Sequence, residues 1–181
     1  MRFKLTLAAL AASVAVASPA FAAPATVTTN ATAKGTVLLP LTLTKSTDLD
    51  FGTVVASAAA GTVAISADDG SRTVTGGVTG VPSFPGGRAL FQGAGSASQQ
   101  VVLTLNAATT LVSGGNTITV TNMTFDTGAA SATNASGNLA TTRTINGTGA
   151  FSIGVGGLFQ IAANQANGVY TGTFSVTADY Q

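Results

Sequence analysis

Polar and apolar residues alternate with period two along most of the chain, the spacing that places every second side chain on one face of a half-buried strand. Over residues 33–43 the odd positions read Ala33, Gly35, Val37, Leu39, Leu41 and Leu43. The even positions are mainly Lys34, Thr36, Thr42 and Thr44, interrupted by Leu38 and Pro40. Proline has no N–H to give to a ladder, so this strand is expected at a sheet edge or bent at Pro40. A second run covers residues 49–55 and leads into a loop of Ala and Ser. Alternation resumes over 61–67, with Val63, Ile65 and Ala67 facing one way. Asp68, Asp69 and Gly70 read as a turn, because Asp and Gly tolerate positive φ.

The middle of the chain repeats the theme. Residues 72–75 predict a short strand before a glycine-rich connection over 76–87 that carries Pro82 and Pro85. Ala89 and Phe91 align over 88–93, and Val101, Leu103 and Leu105 align over 100–105. Gly114, Gly115 and Asn116 turn the chain into 117–125. There Ile118 and Val120 share one parity while Met123 and Phe125 take the other, which predicts a β-bulge near Thr121 or Asn122. Residues 126–137 are small and polar and read as a loop. Phe151, Ile153 and Val155 align over 149–155, Gly156-Gly157 is expected to close a hairpin, and Phe159 and Ile161 align over 158–161. Asn167-Gly168 marks a further turn. Beyond it Tyr170, Gly172, Phe174, Val176, Ala178 and Tyr180 alternate to the terminus.

Helical periodicity is confined to the first segment. Arg2 and Lys4 precede a short Ala- and Leu-rich run over 5–17, and Ala20-Phe21-Ala22 follows Pro19 with small-x-small spacing. Residues 1–22 are therefore expected to be a signal peptide, and the protein to be exported to the periplasm, the cell surface or the extracellular space. The apolar run is too short for a transmembrane anchor. Residues 23–32 then form an N-terminal arm and residues 33–181 a single domain, long enough to build a core without disulfides. Eight to ten short strands, glycine turns and no helix beyond the leader predict an all-β fold. The architecture expected is an antiparallel immunoglobulin-like β-sandwich, with a closed barrel as the alternative.

Composition then narrows the chemistry. Charged residues make up 7% of the 181, the formal net charge is +1, and His, Cys, Trp and Glu are all absent. That excludes the usual zinc and iron–sulfur sites and Cys- or Ser–His–Asp catalysis. It also leaves no basic field to hold nucleic acid. Asp48 and Asp50 share a strand face but supply too few oxygens for calcium, and with Asp68 and Asp69 they read as solvated turn residues. Arg72, Arg88 and Arg143 are isolated in sequence and expected to cap or face solvent. The Gly76-Gly77 and Gly156-Gly157 pairs precede no helix, so they lack the N–H cluster that cradles a phosphate. Phe51, Phe91, Phe151, Phe159 and Phe174 stand at core parity. No catalytic residue, cofactor or metal is expected.

The last run carries a more specific signal. Gly168 is fourteenth from the C-terminus, Tyr180 is penultimate, and Tyr170, Phe174 and Val176 alternate between them. This resembles the terminal strand of subunits assembled by the chaperone–usher route, pilins and spore coat U-type subunits among them. With Leu49-Asp50-Phe51-Gly52 near the start and Val155-Gly156-Gly157-Leu158 before Asn164-Gln165, the chain is also similar to a family of exported proteobacterial β-domains known only as a domain of unknown function. The resemblance implies a sandwich short of one strand, with an apolar groove beside the C-terminal strand that receives the N-terminal arm of the next subunit. Gly168, Tyr170, Phe174, Val176 and Tyr180 would form the acceptor edge, and Ala25 and Val27 the donor. The implied partners are like subunits, a periplasmic chaperone and an usher. The implied function is that of a non-enzymatic structural subunit of a pilus-like appendage or coat. Ala25, Val27, Thr29 and Ala31 offer one large apolar side chain between them. The other reading is accordingly a self-complete monomer, a secreted binding module that recognises a glycan or a surface protein through the loops 78–87 and 126–137.

Overall fold

The computed structural model describes residues 26–108, 110–126, 134–135 and 138–181. The expected signal peptide, Ala25 and most of the 126–137 loop lie outside them. The chain divides between Thr36 and Val37. Residues 26–36 are exposed and carry no strand. From Val37 onward the chain holds β1 (Thr42–Thr47), β2 (Val54–Ile65), β3 (Arg72–Gly80), β4 (Ala89–Ala94), β5 (Gln100–Asn106) and β6 (Thr110–Ser113). These are followed by β7 (Asn116–Phe125), β8 (Asn134–Ala135), β9 (Asn138–Thr144), β10 (Ala150–Ile161) and β11 (Ser175–Tyr180). Every pairing is antiparallel, and the described residues include no helix. The fold is an all-β sandwich of two sheets.

Strand β10 organises the larger sheet. Its first half pairs with β4 and its second half with β2, while residues Val155 to Gln160 pair with β7. Phe159 stands opposite both Val63 and Val120, and Val155 opposite both Ala89 and Phe125. β4 and β2 therefore lie end to end along one edge of β10, with β7 along the other. β1 extends from β4, β3 from β2, and β6 and β8 from β7. The smaller sheet has the order β11-β5-β9. Between the sheets Val101, Leu103 and Leu105 of β5 and Phe125, Ile153 and Val155 of the larger sheet are fully buried. The Phe51 and Phe159 rings meet edge-on at 4.4 Å.

The parity switch in β7 is realised as a bulge. Val120 pairs with Phe159 and Asn122 with Leu158, so Thr121 is the extra residue. Its hydroxyl donates to the Leu158 carbonyl at 3.2 Å.

Other expectations are corrected. No hairpin forms at Gly156-Gly157, because β10 runs straight through both residues. The glycines serve close packing: a methyl group added at Gly156 would come within 2.5 Å of the Ala67 amide nitrogen. The strand expected over 33–43 begins only at Thr42, whose partner Ala94 is the last residue of β4. Alternation continues upstream of Thr42, but the partner backbone has run out. The final strand is shortened for the same reason, since Ser175 faces Asn106 at the end of β5. The Ala- and Ser-rich loop after Val55 is a bulged stretch within β2, and β3 continues to Gly80.

The arginines are not free either. Arg143 of β9 donates to the carboxylate and the carbonyl of Asp126, the residue after β7. The same carboxylate accepts the Gly154 N–H of β10 at 2.8 Å. Arg88 reaches it at 3.9 Å and donates to the Ala67 carbonyl at 2.7 Å. Asp126 thus ties the smaller sheet to the larger. Arg72 donates to the carbonyls of Thr53, Val81 and Phe84 at 3.1, 3.0 and 2.9 Å, holding the 81–84 loop against the start of β2.

Two outcomes follow from these contacts. Asp126→Ala removes a charged acceptor from partly buried donors and is expected to cost about 1.5–3 kcal/mol, read as a lower urea midpoint at unchanged slope. In the 66–71 turn the Ser71 N–H, with the Ser66 and Ser71 hydroxyls, lowers the Asp69 carboxyl from the ordinary 3.8 to about 2. A carboxyl depressed by folding stabilises the fold above its unfolded pKa, and that contribution is lost as pH falls through about 2. An NMR titration of Asp69 is expected to show the low midpoint, and Ser71→Ala to raise it.

Candidate functional site

The smaller sheet ends in an unpaired strand. Among the described residues β11 forms a ladder with β5 alone. Alternation turns Val176, Ala178 and Tyr180 inward, yet all three are only half-buried, whereas the inward residues of the adjacent β5 have no exposed surface. β1 presents the matching edge of the other sheet. Its outer side has no ladder partner among the described residues, and Leu41 and Leu43 are likewise half-buried. β1 lies against β11 without joining it.

One end of the slit between them is closed by hydrogen bonds. The Tyr180 hydroxyl donates to the Leu39 carbonyl at 2.8 Å and accepts the Ser96 N–H at 2.7 Å. The Leu39 N–H in turn donates to the Ser96 hydroxyl at 2.7 Å. Beyond the other ends of the two strands, from Asp48 after β1 and Phe174 before β11, lies a cleft of about 880 Å³. Residues 48–56 form one wall and residues 165–174 the other. Ile118, Val120 and Met123 of β7 with Phe159 and Ile161 of β10 supply an apolar floor. Tyr170 stiffens the second wall, because its hydroxyl donates to the Ala166 carbonyl at 2.7 Å and accepts from Gln165 Nε2 at 2.8 Å. The Gln165 amide also donates to the Thr117 carbonyl of β7 at 3.2 Å.

The residues singled out near the C-terminus divide between the cleft and β11. Gly168, Tyr170 and Phe174 line the cleft, and Val176 and Tyr180 are half-buried positions of the unpaired strand β11. Tyr170 and Phe174 do so from the segment before β11 rather than from within it. Val27 is exposed. The opposite wall was not singled out from sequence. Leu49 and Phe51 share one parity and Val54 and Ala56 the other, and the switch falls at Gly52, whose φ is 74°. That switch is the sequence signal for a chain bending around an opening.

Asp48 and Asp50 are the charged groups on the lining. Asp48 pairs with Lys45, and Asp50 accepts the Gly52 N–H at 2.8 Å. Among the described residues no group of three or more His, Cys, Asp or Glu is placed to hold a metal ion. The unpaired edges of β1 and β11 next to an apolar cleft suit an extended segment, which can bond through its main chain and seat alternate side chains.

Comparison with known proteins adds a family. No curated protein and no solved structure gives a significant match. A family model described as a domain of unknown function, DUF4402, matches residues 41–180. That span runs from the residue before β1 to the last residue of β11 and includes both walls of the cleft. The chain belongs to the DUF4402 family.

Proposed function

We propose that this protein is a non-enzymatic, exported structural subunit of a surface appendage or coat, and that copies join by β-strand addition. In this reading the sandwich is immunoglobulin-like and short of one strand, and an N-terminal segment of a neighbouring copy completes it between β1 and β11. The supporting observation is the half-burial of Val176, Ala178 and Tyr180 on an unpaired edge that runs into the apolar cleft. An added strand would satisfy the free N–H and C=O groups of that edge. It would also bury apolar surface, at about 1.5–3 kcal/mol for each large aliphatic side chain that seats. Before assembly the same edge needs a temporary partner, the role of a periplasmic chaperone strand, with an usher at the point of exchange. The chain has no His, Cys or Glu, and the two aspartates on the cleft are engaged in local contacts.

The cleft volume also favours a second reading. At about 880 Å³ it lies within the size range of ligand pockets. Its apolar floor suits a strand from another surface protein better than a glycan, which would be held against exposed aromatic faces. In that case the protein is a secreted monomeric binding module.

Lysine substitutions on the acceptor flanks test the assembly reading. Val176→Lys and Val54→Lys each place an ammonium group in the slit or the cleft, whereas Thr177→Lys changes the outer face of β11. Sedimentation velocity should show the first two as folded monomers at concentrations where the wild type and Thr177→Lys form multimers. Multimers undiminished in both acceptor variants would overturn strand addition at this edge. A wild-type chain that stays monomeric and captures a strand from a different protein would favour the second reading.

A further inference from the structure

We infer that the strand received by the cleft is residues 33–39 of a second copy, with Val37 and Leu39 facing its floor. This rests on the strand-addition reading and names its occupant, which differs from the arm at 23–32.

Three observations lead there. Val37 is 97% exposed, Leu38 37% and Leu39 64%, and they are the only consecutive run among the exposed large apolar residues described. The segment has the alternation of a strand but no ladder partner: residues 26–40 belong to no strand, and β4 ends opposite Thr42. Ala33, Gly35, Val37 and Leu39 share the parity that a half-buried strand needs. The cleft in turn has an apolar floor and free backbone edges beside it.

Charge selects the same segment. The charged groups lining the cleft are Asp48 and Asp50, and the one charged residue in 26–41 is Lys34. Lys34 precedes Val37 by three residues, about 10 Å along an extended chain. With Val37 and Leu39 seated, Lys34 has the opposite parity and stands on the outer face of the added strand, bringing a positive charge to a cleft whose charged lining groups are both acidic. The 23–32 arm has no charge and one large apolar residue, Val27.

The occupant comes from another copy because the chain's own segment is tethered. The Leu39 amide and carbonyl are bound to Ser96 and Tyr180 at the closed end of the slit. The cleft lies at the opposite end, beyond Ser175 at the start of β11. Insertion into the same molecule would have to break that knot. A neighbour can keep the same bonds at its own Leu39 backbone and still present Val37 and the exposed Leu39 side chain, because both belong to a segment that enters no ladder.

Cysteine pairing tests the proposal directly, since the chain has no cysteine of its own. Full chain carrying both Val37→Cys and Val54→Cys is oxidised and run without reductant, beside full chain carrying Val27→Cys and Val54→Cys. The expected result is cross-linked dimers and higher multimers from the first pair and none from the second. In parallel, Val37→Asp combined with Leu39→Asp should weaken self-association by at least about tenfold in sedimentation, while Val27→Asp leaves it unchanged. Cross-links from the Val27→Cys pair alone would overturn residues 33–39 as the occupant and leave strand addition standing. A link within one molecule would overturn the second copy. No link from either pair, with no loss of association in the aspartate variants, would overturn both this assignment and strand addition.

Discussion

Strand β10 has to serve three neighbours from one backbone, and the arrangement of the sandwich follows from how it does so. β4 and β2 share one of its edges end to end, and both must approach closely. A methyl group at Gly154 would come within 2.5 Å of the Ala67 carbonyl oxygen, and Gly156 is equally confined. Small residues here are a packing requirement of the central strand. Once β4 occupies the first half of that edge, β1 can only add outside β4, which places it at the margin of the larger sheet. β11 takes the corresponding margin of the smaller sheet. The open slit between them results from a topology in which no strand among the described residues joins the two margins.

Along β10 the sandwich changes character. Near Ala150 the sheets are drawn together by the Tyr180, Leu39 and Ser96 hydrogen bonds, next to the Gly95–Gly149 backbone bond. At Gly154 the Asp126 carboxylate holds β10 and the Arg143 side chain of β9 at once. By Phe159 and Ile161 the ties lie farther out, where Thr171 and Val112 exchange backbone bonds at 2.8 and 3.1 Å and Gln165 reaches the Thr117 carbonyl, and the same apolar surface that forms the core floors the cleft. Polar contacts close one end, where directional bonds hold without much buried area. The other end is held only along its second wall and opens over an apolar floor.

Much of this was legible in the residues. The parity break between Val120 and Met123 located the bulge, because a period-two pattern can change face only by inserting a residue. The inward phenylalanines were also readable, with Phe51, Phe91, Phe151 and Phe159 all buried. Alternation fails where the question is whether a partner exists. Residues 33–41 and 170–174 have the pattern of strands, yet β4 and β5 end before reaching them. Gly156-Gly157 misled because a glycine pair signals a tight turn and tight packing with the same letters. Arg88 and Arg143 looked isolated because Asp126 reaches them through the fold rather than through sequence proximity.

The two failures of alternation concern the ends of the same slit. Residues 33–41 precede β1 and residues 170–174 precede β11, so each is the lead-in to a marginal strand. A strand pattern without a ladder leaves side chains uncovered even where single bonds hold the backbone, as Ser96 and Tyr180 hold Leu39 and as Val112 holds Thr171. Here one such stretch borders the cleft and the other carries Val37 and Leu39 into water. If the protein acted alone, polar substitution of Val37 would cost almost nothing in packing, since it is 97% exposed, and among the described residues no contact buries it. Association by the proposed strand addition would supply a physical reason for the pattern, and it would make the stability of the domain depend on the concentration of its own kind.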